Sequence, residues 1–392
     1  MITAKFGGTA ITPRNLVYLK KILTPQHKIL VVSAIGKCHP NDVKTTDLLC
    51  DYFRTRNPKT WQTVCDRYRQ LVDVNCVDID VDKLLFDAHS RALQFDLDYC
   101  TSIGEELSAK IVAKFLHATY VEAQQVVTFG NRSLNTKQTL FRIKNATEDV
   151  NLAVIGGFYG GCNNGRKTFS RGGSDVTASL CAAAIGSTLC QNWTDANGVC
   201  QGNPTEIFGA KTLTHLSYDQ MYQLAQNGAT VLHPDALKPL QKLSIPLVVG
   251  NFYNPNSPQT TISNVPNIQK LLCVTQKTCN GNFVATVLHN MPTCEIFHRL
   301  YVLSKNLQTN VACSDSVTTP KTTNNLPRDI FCGQKQPSSW NGNLFYTPTA
   351  TIQRIIVDAN TVTIVTSQNI IQHIFDVFNK DLSHVLLPLN FF

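Results

Sequence analysis

The chain has 392 residues, 43% of them hydrophobic, with 35 Lys and Arg against 27 Asp and Glu, so it carries +8 net although only 16% of residues are charged. That composition excludes a disordered chain, which needs more charge and less apolar character, and the length suggests two domains at roughly 100–200 residues each. No block of five or more like charges occurs and no apolar run reaches the ~20 residues that cross a bilayer, so the positive excess fits small anionic ligands better than nucleic acid or membrane.

In chain order, Ile2-Thr3-Ala4-Lys5-Phe6 reads as a strand ending at Gly7-Gly8, Asn15 to Leu23 as a helix, and Lys28 to Ser33 as a strand buried on both faces. Residues 43–117 are mainly helical, Asn151 to Phe158 is a second buried strand, Ser174 to Gly186 an Ala-rich helix, and Leu189 to Thr194 a strand entering a turn. Alternation of short β-branched runs with helices is the pattern of an α/β sandwich with a mostly parallel sheet. After the Pro- and Asn-rich stretch at 253–269 the composition shifts. Leu271–Gln276, Phe283–Leu288, Ile352–Val357 and Thr361–Thr366 read as strands, Pro292–Leu307 and Gln368–Lys380 as helices, and Ser314–Tyr346 as a long loop. These readings predict a domain of residues 1–265 and a small α+β module of 266–392.

Fourteen cysteines include no CxxC pair, and the segment MITAKFGGTAITPRN has neither an apolar h-region nor a small-residue cleavage site. Free thiols in a reducing cytoplasm, packing as small hydrophobes, and no metal site are therefore expected.

Gly160 to Thr168 imitates a Walker loop, but Arg166 separates Gly165 from Lys167 and no helix follows, so a surface hairpin is expected. Four other motifs carry chemistry. Lys5, Gly7, Gly8 and Thr9 close the first strand, where open backbone N–H groups and a mobile ammonium suit phosphate. Arg171-Gly172-Gly173-Ser174-Asp175 opens the Ala-rich helix, where an anion is favoured; a merely well-capped helix with a solvated arginine gives the same text. Ser102-Ile103-Gly104-Glu105 places a carboxylate at a helix start, and Thr194-Asp195 leads from a strand into an Asn-Gly turn; each is also an ordinary structural feature.

Together, these motifs, in this order and spacing, resemble the amino-acid kinase superfamily and within it the aspartokinases. The similarity extends to Val31–Lys37, to Thr46-Asp47-Leu48-Leu49, to Met221–Pro234 (MYQLAQNGATVLHP) and to the hairpin Ile245–Ile262, covering about residues 1–265. The resemblance implies a three-layer αβα sandwich and transfer of a phosphoryl group from ATP, with Mg2+, to the side-chain carboxylate of aspartate, the first step of lysine-, threonine- and methionine-type amino-acid biosynthesis. It implies that Lys5, Gly7, Gly8 and Thr9 hold the β/γ-phosphates, with Asp175 orienting Lys5. Ser33 and Thr46, with Gly173 and Ser174, would line the transfer site. Glu105 would take the substrate ammonium and Arg171 its α-carboxylate. Thr194, Asp195 and the loop from Gly198 and Val199 through Cys200 to Pro204, together with Thr230 and Val231, would hold the nucleotide.

Residues 266–392 stand where the family carries an ACT-like regulatory module, which implies a homodimer formed through it. Departures fall on the nucleotide side: Thr230 replaces a lysine, Cys200 a tyrosine, Thr205 an arginine, and Ser170 a glycine before Arg171. They keep open a relative that binds amino acid or nucleotide without turnover, or a kinase of another small carboxylate or phosphate. Arg166 and Lys167 are candidates for the replacement cation.

Overall fold

The computed structural model describes residues 1–39, 41–130, 133–163, 165–170, 172–229 and 231–265, then 272–279, 282–289, 291, 295–296, 299–300, 302–303, 342–344, 352–357, 361–366 and 369–379. It forms two compact units. The first comprises Met1–Val199, Thr212–Tyr222 and 231–265; the second comprises Cys200–Lys211, Gln223–Ala229 and the described residues from 272 onward.

The first unit opens with β1 (Ile2–Phe6), α1 (Val17–Ile22) and β2 (His27–Val32), followed by the helices α2 (Thr45–Thr55), α3 (Pro58–Val74), α4 (Val81–Gln94) and α5 (Leu97–Phe115). Next come β3 (Thr119–Val121), α6 (Ala123–Val126), α7 (Thr136–Thr147), β4 (Ala153–Gly156), β5 (Tyr159–Cys162), β6 (Gly165–Thr168), α8 (Gly173–Ala184) and β7 (Leu189–Thr194). β8 (His215–Ser217), α9 (Tyr218–Gln226), α10 (Leu237–Lys242), β9 (Leu247–Asn251) and β10 (Thr260–Ser263) complete it, with the end of α9 grouped in the second unit.

Eight strands form one sheet in the order β3-β4-β2-β1-β7-β9-β10-β8, parallel throughout except for the hairpin β9–β10. Side chains alternate across it. Leu30 and Val32 of β2 join Ala4, Phe6, Leu49, Leu107 and Ile111 in the core beneath α2 and α5, whereas Ile29 and Val31 pack with Ile143, Val176 and Leu180 of α7 and α8. Helices cover both faces, so the fold is the three-layer αβα sandwich expected from the near-continuous apolar runs of its strands. This layering aims residues of opposite parity to opposite faces, and Lys5 and its neighbour in register, Asn192, share the side facing α8.

The helix carrying Glu105 differs from expectation. α5 starts eight residues earlier, at Leu97, where Asp96 accepts a hydrogen bond from the Tyr99 N–H at 2.9 Å as its N-cap. Glu105 is therefore mid-helix, and its chemistry comes from burial, not from a helix terminus.

The hairpin β5–β6 also departs from the expected surface position. It is a two-stranded antiparallel pair, but Arg166 is 1% exposed, with Nη2 at 2.6 Å from Glu106 Oε2 and 3.4 Å from Glu122 Oε2 and its plane over the rings of Tyr99 and Tyr159. Burial pushes the Glu106 carboxyl up, yet Arg166, with Arg91 and Lys110, holds it down to about 2. Losing one partner of such a network strands the others, so Arg166→Met is expected to lower unfolding free energy by about 3–5 kcal/mol in urea titrations. A loss below about 1 kcal/mol, as for an exposed pair, would contradict this account.

In the second unit, β11 (Leu272–Cys279), β12 (Asn282–His289), β13 (Gly342–Leu344), β14 (Ile352–Val357) and β15 (Thr361–Thr366) form an antiparallel sheet in the order β11-β12-β15-β14-β13. α11 (Ile371–Asn379) lays Ile374 and Phe378 against Val274, Val287 and Ile364. Cys200–Lys211 belongs to the same unit: Gln201 accepts from the Val274 N–H at 2.6 Å, and Ile207 joins this core. β13 lies inside the stretch expected to be a loop. Of the helix expected over 292–307, residues 295–296, 299–300 and 302–303 are described and helical. Among the described residues no helix is long and apolar enough to cross a membrane.

Candidate active site

The site forms where β1, β2 and β7 end, the carboxyl edge at which open α/β sheets receive ligands. Lys5 Nζ lies 2.8 Å from Asp175 Oδ1, and both side chains are nearly buried at 13% and 11% exposure. Asp175 sits in the first turn of α8, where the helix dipole favours a carboxylate. Its other oxygen accepts a hydrogen bond from the His233 N–H at 3.3 Å. The residue before the helix, Gly172, is in the left-handed region at φ 58°, and a Cβ there would strike the His233 side chain. This contact brings the LHP end of the Met221–Pro234 segment against the opening of α8.

The turn after β1 lies against the turn after β2. Gly36 N–H donates to the Gly8 carbonyl at 2.8 Å, and a Cβ at Gly36 would lie 2.5 Å from the Gly8 carbonyl carbon, so two glycines are needed face to face. A Cβ at Gly7 would sit 3.6 Å from Lys5 Nζ: the ammonium curls over the turn it is expected to serve. Thr9 is half-buried, and its carbonyl accepts from Asn15 Nδ2 at 2.7 Å. Ser33, at the end of β2, donates to Ser174 Oγ at 2.9 Å, joining this edge to α8 at the residue after Gly173.

Glu105 points up from α5 beneath the same turn. The Ala34 N–H donates to its carboxylate, but Oε2 has no hydrogen-bond partner among the described residues. Burial raises this carboxyl to about 8 from an ordinary 4.5, the backbone bond opposing. A buried acceptor without a partner among the described residues is costly and suits a cationic ligand group.

Of the remaining expected residues, Thr46 is half-buried in the first turn of α2, where its neighbour Thr45 is the fully buried hydroxyl and takes Arg67 Nη1 at 3.1 Å. Thr194 donates to the exposed carboxylate of Asp195 at 3.1 Å, and Asn251 clamps that turn through the Asp195 carbonyl and Asn197. Gly198 and Val199 are buried beside it, the Val199 N–H donating to Thr260 Oγ1 at 2.7 Å. Cys200 and Pro204 lie in the second unit, and Val231 is half-buried. Arg171 and Thr230 lie outside the described residues. Arg166, a candidate replacement cation, is committed to Glu106; Lys167 is exposed. Reading the motifs alone missed Gly36, His233 and Asn192. The first two stand inside quoted segments and needed the turn-to-turn and loop-to-helix contacts to acquire a purpose.

No group of three or more His, Cys, Asp or Glu among the described residues is arranged to hold a metal ion by itself. A magnesium ion entering on nucleotide phosphates needs no such cage, because it keeps waters and takes one or two carboxylates at most.

The model of the amino acid kinase family matches residues 1–251. Aspartokinase 3 of Bacillus subtilis is 28% identical over 336 residues, 78% of this chain and 71% of that protein. Aspartokinase 1, chloroplastic, of Arabidopsis thaliana is 34% identical over 189 residues, 44% of this chain, which spans only 33% of that protein. The structure of E. coli aspartokinase III in complex with aspartate and ADP superposes with a TM-score of 0.70 at 17% identity, over 97% of this chain and all of that one.

Proposed function

The chain belongs to the amino acid kinase family, and from that premise we propose that it is an aspartate kinase, transferring the γ-phosphoryl group of ATP to the side-chain carboxylate of aspartate. A carboxylate oxygen attacks the γ-phosphorus, the bond to the bridging oxygen breaks, and ADP leaves from an acyl phosphate. The observation that carries this reading is the Lys5–Asp175 pair at the end of β1, facing the amino terminus of α8. Phosphoryl transfer needs in-line placement and compensation of spreading charge, with little covalent help. Lys5, held by Asp175 over the Gly7-Gly8 turn, supplies a fixed positive charge to the transferring group. The N–H groups and dipole at the start of α8 add to it.

Glu105 supports an amino-acid acceptor: its partnerless oxygen is matched by a substrate ammonium. Arg171 receives the α-carboxylate and Ser33 and Thr46 border the transfer path, while Thr194, Asp195, Gly198 and Val199 receive the nucleotide. The named similarities point the same way, since the related proteins are aspartokinases and the E. coli structure holds aspartate and ADP. Magnesium, held mainly by the phosphates, neutralises part of their charge. We further assign residues 1–265 as the catalytic domain, apart from Cys200–Lys211 and Gln223–Ala229, which belong to the second compact unit, and that second unit as an ACT-like module that regulates or dimerises the protein. A cytoplasmic site of action fits the ten cysteines whose side chains are described, none of which forms a disulfide.

Hydroxylamine trapping tests the assignment directly. The hydroxamate should form only with ATP and aspartate together, and not with glutamate, carbamate or UMP as acceptor. Turnover that survives both Lys5→Ala and Arg171→Ala overturns the reading. Nucleotide and aspartate binding by calorimetry without hydroxamate would instead favour a non-catalytic relative, the reading that Cys200 and Thr230 motivate.

A further inference from the structure

Directly behind the Lys5–Asp175 pair lies a feature that the reaction as described does not use. Asn192 of β7 is 3% exposed, pairs in register with Lys5 on one side and Val249 on the other, and neither its Oδ1 nor its Nδ2 meets a hydrogen-bond partner among the described residues. A buried amide with both ends unsatisfied is rare in folded proteins and points to an ordered water or ion. Asn192 lines a small cavity together with Lys5, Asp175, Ser179 and Cys190. The space open to a water's centre there is about 10 Å3, the size of a single-water site. Asp175 contributes the matching group. Its Oδ1 meets the ammonium at 2.8 Å outside good hydrogen-bond angles, and so keeps an acceptor direction free.

We propose that Asn192 is a positioning residue for the phosphoryl-transfer lysine, acting through one buried water that it shares with Asp175 and Lys5. The amide offers two donors and one acceptor, and a water between it and the pair donates to Asp175 Oδ1 while accepting from Lys5 or from the amide. The pair is then held from below by strand β7 as well as from the side by α8, which restricts the ammonium to one position above the Gly7-Gly8 turn. An aliphatic residue in this strand position would let Lys5 and Asp175 pair equally closely while leaving the ammonium free to swing. Preorganisation of this kind acts on the transition state and leaves substrate binding little changed.

This inference rests on the aspartate kinase reading, and its test separates the two. Asn192→Leu replaces the amide with an apolar side chain of similar size and expels the water, whereas Asn192→Ser keeps a hydroxyl and room for one. Expected are a kcat about tenfold lower in Asn192→Leu with KM for aspartate within about twofold of the parent, a thermal midpoint no lower than the parent's, and recovery to within about threefold in Asn192→Ser. Unchanged kcat in Asn192→Leu, or equal losses in the two variants, overturns the proposal. A high-resolution crystal structure of the unaltered protein decides the matter even if the chain phosphorylates no aspartate, or if Asn192→Leu fails to fold: a water bonded to both Asn192 and Asp175 sustains the proposal, and a dry cavity ends it.

Discussion

Lys5→Met is expected to lower kcat for aspartate phosphorylation by about a thousandfold or more, the scale seen when a preorganised charge is removed from a developing oxyanion. Methionine keeps the length and most of the packing of the side chain, so the loss is one of charge. Because the ammonium compensates charge that grows as the phosphoryl group moves, kcat should fall much more than the affinity for aspartate, whose site is built from other elements. The variant also takes the cationic partner from Asp175, which keeps the His233 N–H at 3.3 Å but no compensating charge among the described residues. That uncompensated carboxylate is expected to lower the thermal midpoint, and a second substitution separates the two effects. In Lys5→Met/Asp175→Asn the orphaned charge is gone, so stability returns toward the parent while kcat stays down. Hydroxamate formation and thermal unfolding of the two single variants and the double variant make the comparison. A Lys5→Met enzyme within tenfold of the parent, or a double variant that regains activity with its stability, would show that Lys5 serves the fold alone.

The parts of this molecule that were legible in its sequence are those governed by local rules. The apolar runs at Lys28–Ser33 and Leu189–Thr194 become β2 and β7 because strands covered on both faces need no polar alternation. The RGGSD stretch opens a helix because glycine supplies the left-handed residue in front of it. What could not be read depends on partners far along the chain. Arg166 stands amid Gly and Asn, a text that reads as exposed turn, and is buried because Glu106, 60 residues earlier, waits for it on α5. Ser102-Ile103-Gly104-Glu105 reads as a helix start, yet the helix runs through it: the Gly104 carbonyl accepts from Tyr68 Oη at 2.7 Å, packing α5 against α3. Asn192 sits beside Gln191 in LCQNWT, where two adjacent polar residues obscure which one faces inward; α8 lying over that face of the sheet decides it. The candidate site shows the same division, since its motifs are local while the environment of each titratable group is assembled from four or five distant segments.

Glu105→Gln is expected to produce opposite changes in stability and binding, and the sign of each follows from the raised carboxyl. Unfolded, the group ionises near 4.5; in the folded, ligand-free protein burial holds its proton until about 8. Between those values the folded state binds more protons than the unfolded state, so this group makes the empty protein less stable as pH rises through the interval. Glutamine never ionises, and ligand-free Glu105→Gln is therefore expected to be at least as stable as the parent near pH 8, and to lack the parent's decline. Aspartate binding runs the other way. The substrate ammonium pairs with the ionised form, which is only about a tenth populated at pH 7 when the group titrates near 8, so apparent affinity in the parent should strengthen about tenfold per pH unit below that value and level off above it. Binding near neutrality must then release close to one proton, measurable by calorimetry in buffers of different ionisation enthalpy. The glutamine variant should bind aspartate about a hundredfold more weakly or worse, having lost a charge-assisted contact in a buried setting, and with neither proton release nor this pH dependence. A parent whose aspartate affinity is flat across neutral pH, with no proton released, would remove Glu105 from the ammonium site and leave its partnerless oxygen to be explained by structure alone.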